Sequence, residues 1–288
     1  MTKTGLTSYQ LKIIALCTMT IDHLAAYGGE IPIFGHYAYI LRIVGRIAAP
    51  LFLFVLTESV RHTHNKIHYV LRLYFAAVGV GLFTTVTNHF FWSSIGRFDV
   101  NNILFTYFYT ALYINLTEQL MKAVRGKKVI DGIICVLAIL STILPHYISL
   151  YLNRLVYLNR EIISTDLAWN LMESFFVSPL RVEYSILFVI MGMLMYFAPN
   201  KYWKAAILAM FSLGCYLADS PLEIQDILLR ISPDPYFGYP QRWMILAAPF
   251  MLLYNGKKGS GHKWFFYLYY PIHRYLFAVM EYLYLSTQ

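Results

Sequence analysis

The sequence predicts an all-α integral membrane protein that crosses the bilayer about nine times. Three observations lead there. Of 288 residues, 58% are hydrophobic and only 13% are charged, against roughly a quarter charged in soluble domains; the mean hydropathy is +0.52. Apolar runs of membrane-spanning length recur from end to end, and most lack the polar face of a soluble bundle helix. Basic residues also alternate between successive loops, as they do when Lys and Arg collect on the cytoplasmic side.

Taken in order, the spans run approximately over 11–28, 38–60, 69–87, 102–121, 129–147, 183–198, 203–218, 242–254 and 264–284. Lys3 and Lys12 before the first run resemble the start of a signal peptide. No small-residue cleavage site follows and Asp22-His23 interrupts the run, so an uncleaved first helix is expected. One set of loops holds Lys3 and Lys12; Arg61, Lys66 and Arg72; Lys122, Arg125, Lys127 and Lys128; Lys201 and Lys204; and Lys257, Lys258 and Lys263. The other set is less basic: Glu30; Arg97 with Asp99; Arg154 to Glu183; Asp219 to Asp234. The two sets alternate if the N-terminus is cytoplasmic and the C-terminus external. Residues 1–288 read as a single transmembrane domain with two long external loops, 148–182 and 219–241. The first contains STDLAWNLMESFF, a short helix capped by Ser164 or Thr165 with Leu167, Leu171 and Phe175 on one face. The second carries Pro221, Pro233, Pro235 and Pro240, which disfavour long helices.

Several function classes are disfavoured. The net charge of +8 follows from the basic loops. No zinc-finger spacing and no basic helix interleaved with aromatics points to nucleic acid. Cys17, Cys135 and Cys215 have no CxxC spacing and are expected as buried small residues, without disulfide or metal. No P-loop or dinucleotide fingerprint is present.

The informative residues are ionisable groups inside the spans, each costing about 2.5–3.5 kcal/mol on insertion scales and marking a functional site by default. Asp22 and His23 lie roughly 16 Å from the cytoplasmic end of the first span, at a rise of about 1.5 Å per residue. Adjacent helical residues diverge by about 100°, so each is expected to face a different neighbour. Arg42 and Arg46, one turn apart in LRIVGRIAAPLF, share a face at a similar depth. Gly45 permits close helix approach, and Pro50 should kink the second span at Arg46. An Asp22–Arg46 pair is the simplest neutralisation, and such a pair can simply lock two helices. His23, beside a carboxylate and opposite two arginines, is a candidate general base. Asn102 and Thr106 share a face at the start of the fourth span, with interhelical hydrogen bonding as the alternative reading. His273 and Arg274 follow Pro271 in the last span, and Arg274 suits an anionic ligand. Glu58 lies near the inner end of the second span. The basic segments ESVRHTHNKIHYVLRL and YNGKKGSGHK offer donors to a phosphate-bearing ligand, or simply reflect topology.

LKIIALCTMTIDHLAAYG, RIVGRIAAPLFLFVLTESVRHTHN, YVLRLYFA, NNILFT, LLYNGKKG and KWFFYLYYPIHRYLF, in this order, resemble the TraX family of bacterial membrane proteins. The resemblance is strongest over 11–76 and 252–277. It implies an activity like that of the F-pilin acetylase, within a wider group of multi-span acyltransferases that use cytoplasmic acyl-CoA and an intramembrane histidine. Matched by motif, Asp22 and His23 form the DH pair, and Arg42 and Arg46 belong to the RIVGR block. Glu58, His62 and Asn65 belong to E-x-x-x-H-x-x-N, Asn102 and Thr106 to NNILFT, Asn255 and Gly256 to the YNG turn, and Pro271 and His273 to YPIH. Ser59 departs from the glycine expected after the glutamate.

On this reading Asp22, His23, Arg42 and Arg46 carry catalysis in the bacterial cytoplasmic membrane, without metal. Asn102, Thr106, His273 and Arg274 meet substrate. Glu58, Arg61, His62, Asn65, Lys66, Arg72, Asn255, Lys257 and Lys258 hold acetyl-CoA, the acyl donor. His23 acts as general base, or forms an acetyl-histidine intermediate, while Arg42, Arg46 or Asn102 stabilises the oxyanion. The acceptor is an amine or hydroxyl: the N-terminus of a pilin-like protein, a glycan or a lipid head group. Two other classes remain open. A proton-coupled transporter would move substrate without consuming acyl-CoA, although no inverted repeat is visible. A membrane assembly factor would tolerate loss of His23.

Overall fold

The computed structural model describes residues 4–27, 29, 31–90, 100–158, 165–218, 240–261 and 263–287. The proline-rich segment expected at 219–241 lies outside them apart from Pro240 and Gln241, as does the cap residue Ser164. Regular structure among the described residues is helical: α1 (Ser8–Tyr27), α2 (Pro32–Gly45), α3 (Ala48–Arg61), α4 (Lys66–Phe90), α5 (Ile103–Arg125), α6 (Val129–Ser141), α7 (Leu144–Leu158), α8 (Thr165–Phe175), α9 (Ser185–Phe197), α10 (Lys201–Ala218), a 3-10 helix (Gln241–Ala247), α11 (Ala248–Leu252) and α12 (Lys263–Leu285).

Among the described residues, three helical stretches are long and apolar enough to cross a membrane: Pro32–Arg61, Lys66–Phe90 and Val129–Leu152. Their outer faces carry the residues that lipid rather than water would solvate, among them Phe75, Phe90, Ile130 and Leu137. The chain is therefore a membrane protein whose described residues fold as helices.

Among the described residues each expected span overlaps helix, with local differences. The second span is broken at Arg46–Ile47, where the amides of both residues reach back only three positions, to Ile43 and Val44. Pro50, which has no amide to give the Arg46 carbonyl, explains why the break sits there. The eighth span is a 3-10 helix followed by the five residues of α11, with Pro249 in its first turn. Helix also occupies part of the expected 148–182 loop. Pro145 stands in the first turn of α7, where its missing amide costs nothing. The short helix α8 forms, but Leu171 and Phe175 are exposed and Ser174 is buried. The reason is packing on α4: a Cβ at Gly81 would lie 3.1–3.2 Å from Ser174, and Ser174 Oγ is 3.0 Å from Thr85 Oγ1. Small polar residues bring these helices together.

The described residues form two compact units. One contains α1, α2, α3 to Ser59, α10, the 3-10 helix, α11 and α12; α1 packs on α2 and α12, and α10 on the 3-10 helix and α11. The other, from Val60 to Tyr196, contains α4 to α9. There α5 contacts α4 and α6, around a core of Ala77, Val78, Phe105, Tyr109, Val177, Val182 and Val189.

In the first unit a clasp fixes the start of α1. Leu6 N donates to Leu253 O at 2.8 Å, and Asn255 N to Leu6 O at 2.9 Å. Ser8 N and Tyr9 N donate to the carbonyls of Lys257 and Lys258, filling amide positions a helix start leaves open. Thr7 and Gln10 bond reciprocally as a capping box. Gly259 has φ +74°, and a Cβ there would meet Thr7 Oγ1 at 2.7 Å. Gly259→Ala is expected to cost about 1–3 kcal/mol from backbone strain, read as a lower melting temperature in detergent. An unchanged melting temperature would contradict this role for the clasp.

Candidate functional site

The first unit assembles the ionisable groups of three helices. α1 presents Asp22 and His23, which diverge as adjacent helical residues must. Asp22 turns to α2 and His23 to α12. Asp22 is 6% exposed and gives each carboxylate oxygen to one guanidinium: Oδ2 accepts from Arg42 Nη1 at 3.0 Å, and Oδ1 accepts from Arg46 Nη2. Arg46 Nε also donates to the Arg42 carbonyl at 3.2 Å, which holds the guanidinium along α2. These three side chains carry one net positive charge in a largely buried place.

Gly45 makes this geometry possible. A Cβ there would overlap Asp22 Cβ and its carboxylate. Because the obstruction is a buried charged group held on both oxygens, it cannot swing aside. Gly45→Ala is expected to cost about 1–3 kcal/mol as overpacking and to lower activity with it, measured by melting temperature and turnover. A variant with wild-type values in both would contradict the close α1–α2 crossing.

On the other side, His23 Nδ1 lies 2.5 Å from His273 Nε2. The ring centroids are 4.7 Å apart with planes inclined by 10°. Two ring radii plus the N···N distance account for that separation, so the rings meet edge to edge in nearly one plane rather than face to face. This is the direction in which ring N–H groups and lone pairs point. His273 Nδ1 lies 2.7 Å from the Tyr269 carbonyl, one turn back on α12. Pro271, inside α12, withholds an amide from the preceding turn. Tyr269 ties α12 to α1 a second time: its hydroxyl is 2.7 Å from Thr20 Oγ1, whose own proton goes to the Leu16 carbonyl. His273 and Arg274 are buried, at 3% and 6% exposure, and the Arg274 guanidinium lies 5.8 Å from the Tyr270 ring. His23 is half-buried.

The remaining expected site residues fall elsewhere. Glu58 is paired with Lys204. Lys204 is 2% exposed, so this lysine of the basic loop set is a buried partner of a carboxylate, with its ammonium also 5.3 Å from the Phe54 ring. Asn255 Nδ2 donates to Gly5 O at 2.7 Å and its Oδ1 accepts from Lys257 N. It therefore builds the clasp that presents the exposed side chains of Lys257 and Lys258. Arg61, His62, Asn65, Lys66, Arg72, Asn102 and Thr106 belong to the second unit. There Arg61 donates to the Tyr196 carbonyl, and Lys66 pairs with Glu118 and Tyr196. Asn65 caps the turn at His68, Arg72 lies over Tyr69, and His62 is exposed. Asn102 caps α5 and ties it to the Ala77 carbonyl of α4 at 3.1 Å; Thr106 donates to Glu183 O at 2.7 Å. Cys135 and Cys215 are buried as expected, whereas Cys17 is exposed. Among the described residues no group of His, Cys, Asp and Glu is placed to hold a metal ion.

Two participants escape a reading by charge: Thr20 and Tyr269. Tyr269 stands one turn before His273, a spacing at which side chains share a helix face. In comparisons with known proteins, a family model described as TraX protein matches residues 7–281. No curated protein and no solved structure matches the chain.

Proposed function

The chain belongs to the TraX family, and on that premise we propose that it is a membrane acetyltransferase using acetyl-CoA. The observation that carries this reading is the largely buried constellation of the first unit, a joined His23–His273 pair beside Asp22 held by Arg42 and Arg46. Carboxylate, cations and imidazole at one depth suit acyl transfer. A base must take the acceptor's proton, and a positive site must meet the oxyanion that forms as the acceptor attacks the thioester.

In this reading the chain crosses the bacterial cytoplasmic membrane about nine times, N-terminus inside and C-terminus outside. The phosphates of acetyl-CoA rest on the exposed ammonium groups of Lys257 and Lys258, which the clasp holds beside the start of α1. The acetyl thioester lies near His23. His23 takes the proton of an acceptor amine or hydroxyl, the acceptor attacks the carbonyl carbon, and the oxyanion is met by the Arg42 and Arg46 charge. Collapse breaks the C–S bond and releases CoA. An acceptor amine at the N-terminus of a pilin-like protein is consistent with membership of the family; a hydroxyl of an envelope glycan or lipid would use the same groups.

The test is purified protein in detergent with acetyl-CoA labelled on the acetyl group, with and without envelope extract. Release of CoA together with label in an extract component is expected. An absence of turnover with extract present would overturn the reading and favour transport or assembly.

A further inference from the structure

We infer that His273 is a positioning residue that fixes the tautomer of His23, holding the His23 proton on Nδ1 and its lone pair on Nε2. The inference rests on the acetyltransferase reading only for its consequence in catalysis; the tautomer itself follows from geometry.

A peptide carbonyl has no proton to give, so the 2.7 Å contact with Tyr269 O requires the proton of His273 on Nδ1. A neutral imidazole carries a single N–H, so Nε2 of His273 is then an acceptor. The 2.5 Å contact to His23 Nδ1 therefore needs its proton on His23 Nδ1. His23 Nε2 is left as the nitrogen with the lone pair. The near-coplanarity of the two rings aligns donor and acceptor with this assignment. The α12 backbone thus sets the protonation of a side chain on α1 through one intervening ring, as a hydrogen bond on one ring nitrogen generally defines the other.

The arrangement determines which atom does the chemistry. Nε2 takes the proton from the acceptor N–H or O–H as the acceptor–carbonyl bond forms. The imidazolium so created keeps its Nδ1–H on His273, whose own orientation is held by Tyr269 O. When the C–S bond breaks, the Nε2 proton passes to the departing thiolate and the pair returns to its starting state. His273 never touches the acyl group, which separates this role from substrate binding.

The experiment compares His273→Phe, which fills the space without an acceptor, with His273→Gln, which returns an acceptor near the position of Nε2. The expected result for His273→Phe is a fall in kcat of about 10²-fold, in the range of a misdirected general base, with KM for acetyl-CoA changed less than threefold. His273→Gln is expected to recover at least tenfold over Phe. Equal loss in both variants, or a loss carried by KM, would overturn the positioning role. Nitrogen-15 NMR of wild-type protein labelled on histidine, with the His23 signals assigned by their loss in His23→Gln, reads the tautomer directly and does not depend on either His273 variant folding. A proton on His23 Nδ1 and none on Nε2 is expected; a proton on Nε2 would overturn the inference. The NMR result stands even if acetyl-CoA is not the donor, whereas failure of wild-type turnover bears on the proposed reaction alone.

Discussion

His23→Ala is expected to lower acetyl-CoA turnover by about 10²–10⁴-fold, the usual contribution of a general base, while the protein remains folded. The fold should survive because His23 is half-buried and the guanidiniums of Arg42 and Arg46 are held by Asp22, not by His23. Losing the imidazole leaves His273 Nε2 without its α1 partner, but His273 keeps the Tyr269 carbonyl. The check is CoA release by purified variant and wild type at matched detergent, with melting temperature as the folding control. A folded variant at wild-type rate would remove His23 from the chemistry and turn the constellation into helix packing.

The second large effect is on stability. Asp22→Asn should destabilise the protein by about 3–5 kcal/mol, the cost of removing one member of a buried ion pair. The carboxylate accepts from both guanidiniums, and the Arg46 side chain is 3% exposed, so the charge it leaves behind has little access to solvent. The double variant Asp22→Asn/Arg46→Gln should recover part of the loss, because it removes a buried cation along with its counter-ion. Melting temperatures of single and double variants in one detergent provide the check. A single variant within 1 kcal/mol of wild type, a threshold set well below the effect expected for buried pairs, would contradict the assignment of Asp22 as the centre of the α1–α2 contact.

Much of this site is legible in the sequence because a membrane makes polarity conspicuous. Asp22, Arg42 and Arg46 stand out from apolar runs, their depths match, and Gly45 beside Arg46 marks the close crossing. Pro50 locates the break in the second span. Less legible is anything that depends on rotation about a helix axis across long sequence separation. The pairing of His23 with His273 joins residues 250 positions apart, and no charge or period along the chain announces it. Lys204 shows the opposite failure: its place among basic loop residues hides a buried partner of Glu58, since positive-inside counting is blind to which lysine turns inward. Asn102 and Thr106 also serve local structure, the cap of α5 and bonds to neighbouring backbone. In α8 a periodic apolar face is visible, but the helix packs by Ser174 against Gly81, because close approach there depends on small side chains.

The most direct test of acetyl transfer through this site uses proteoliposomes carrying wild-type protein or His23→Gln, with labelled acetyl-CoA on the side of Lys257 and Lys258 and a peptide bearing a free N-terminal amine on the other. The expected result is label on the peptide and stoichiometric free CoA with wild type, and neither with His23→Gln. Label on the peptide at equal rates in both preparations, or no CoA formed when envelope extract replaces the peptide, would contradict it.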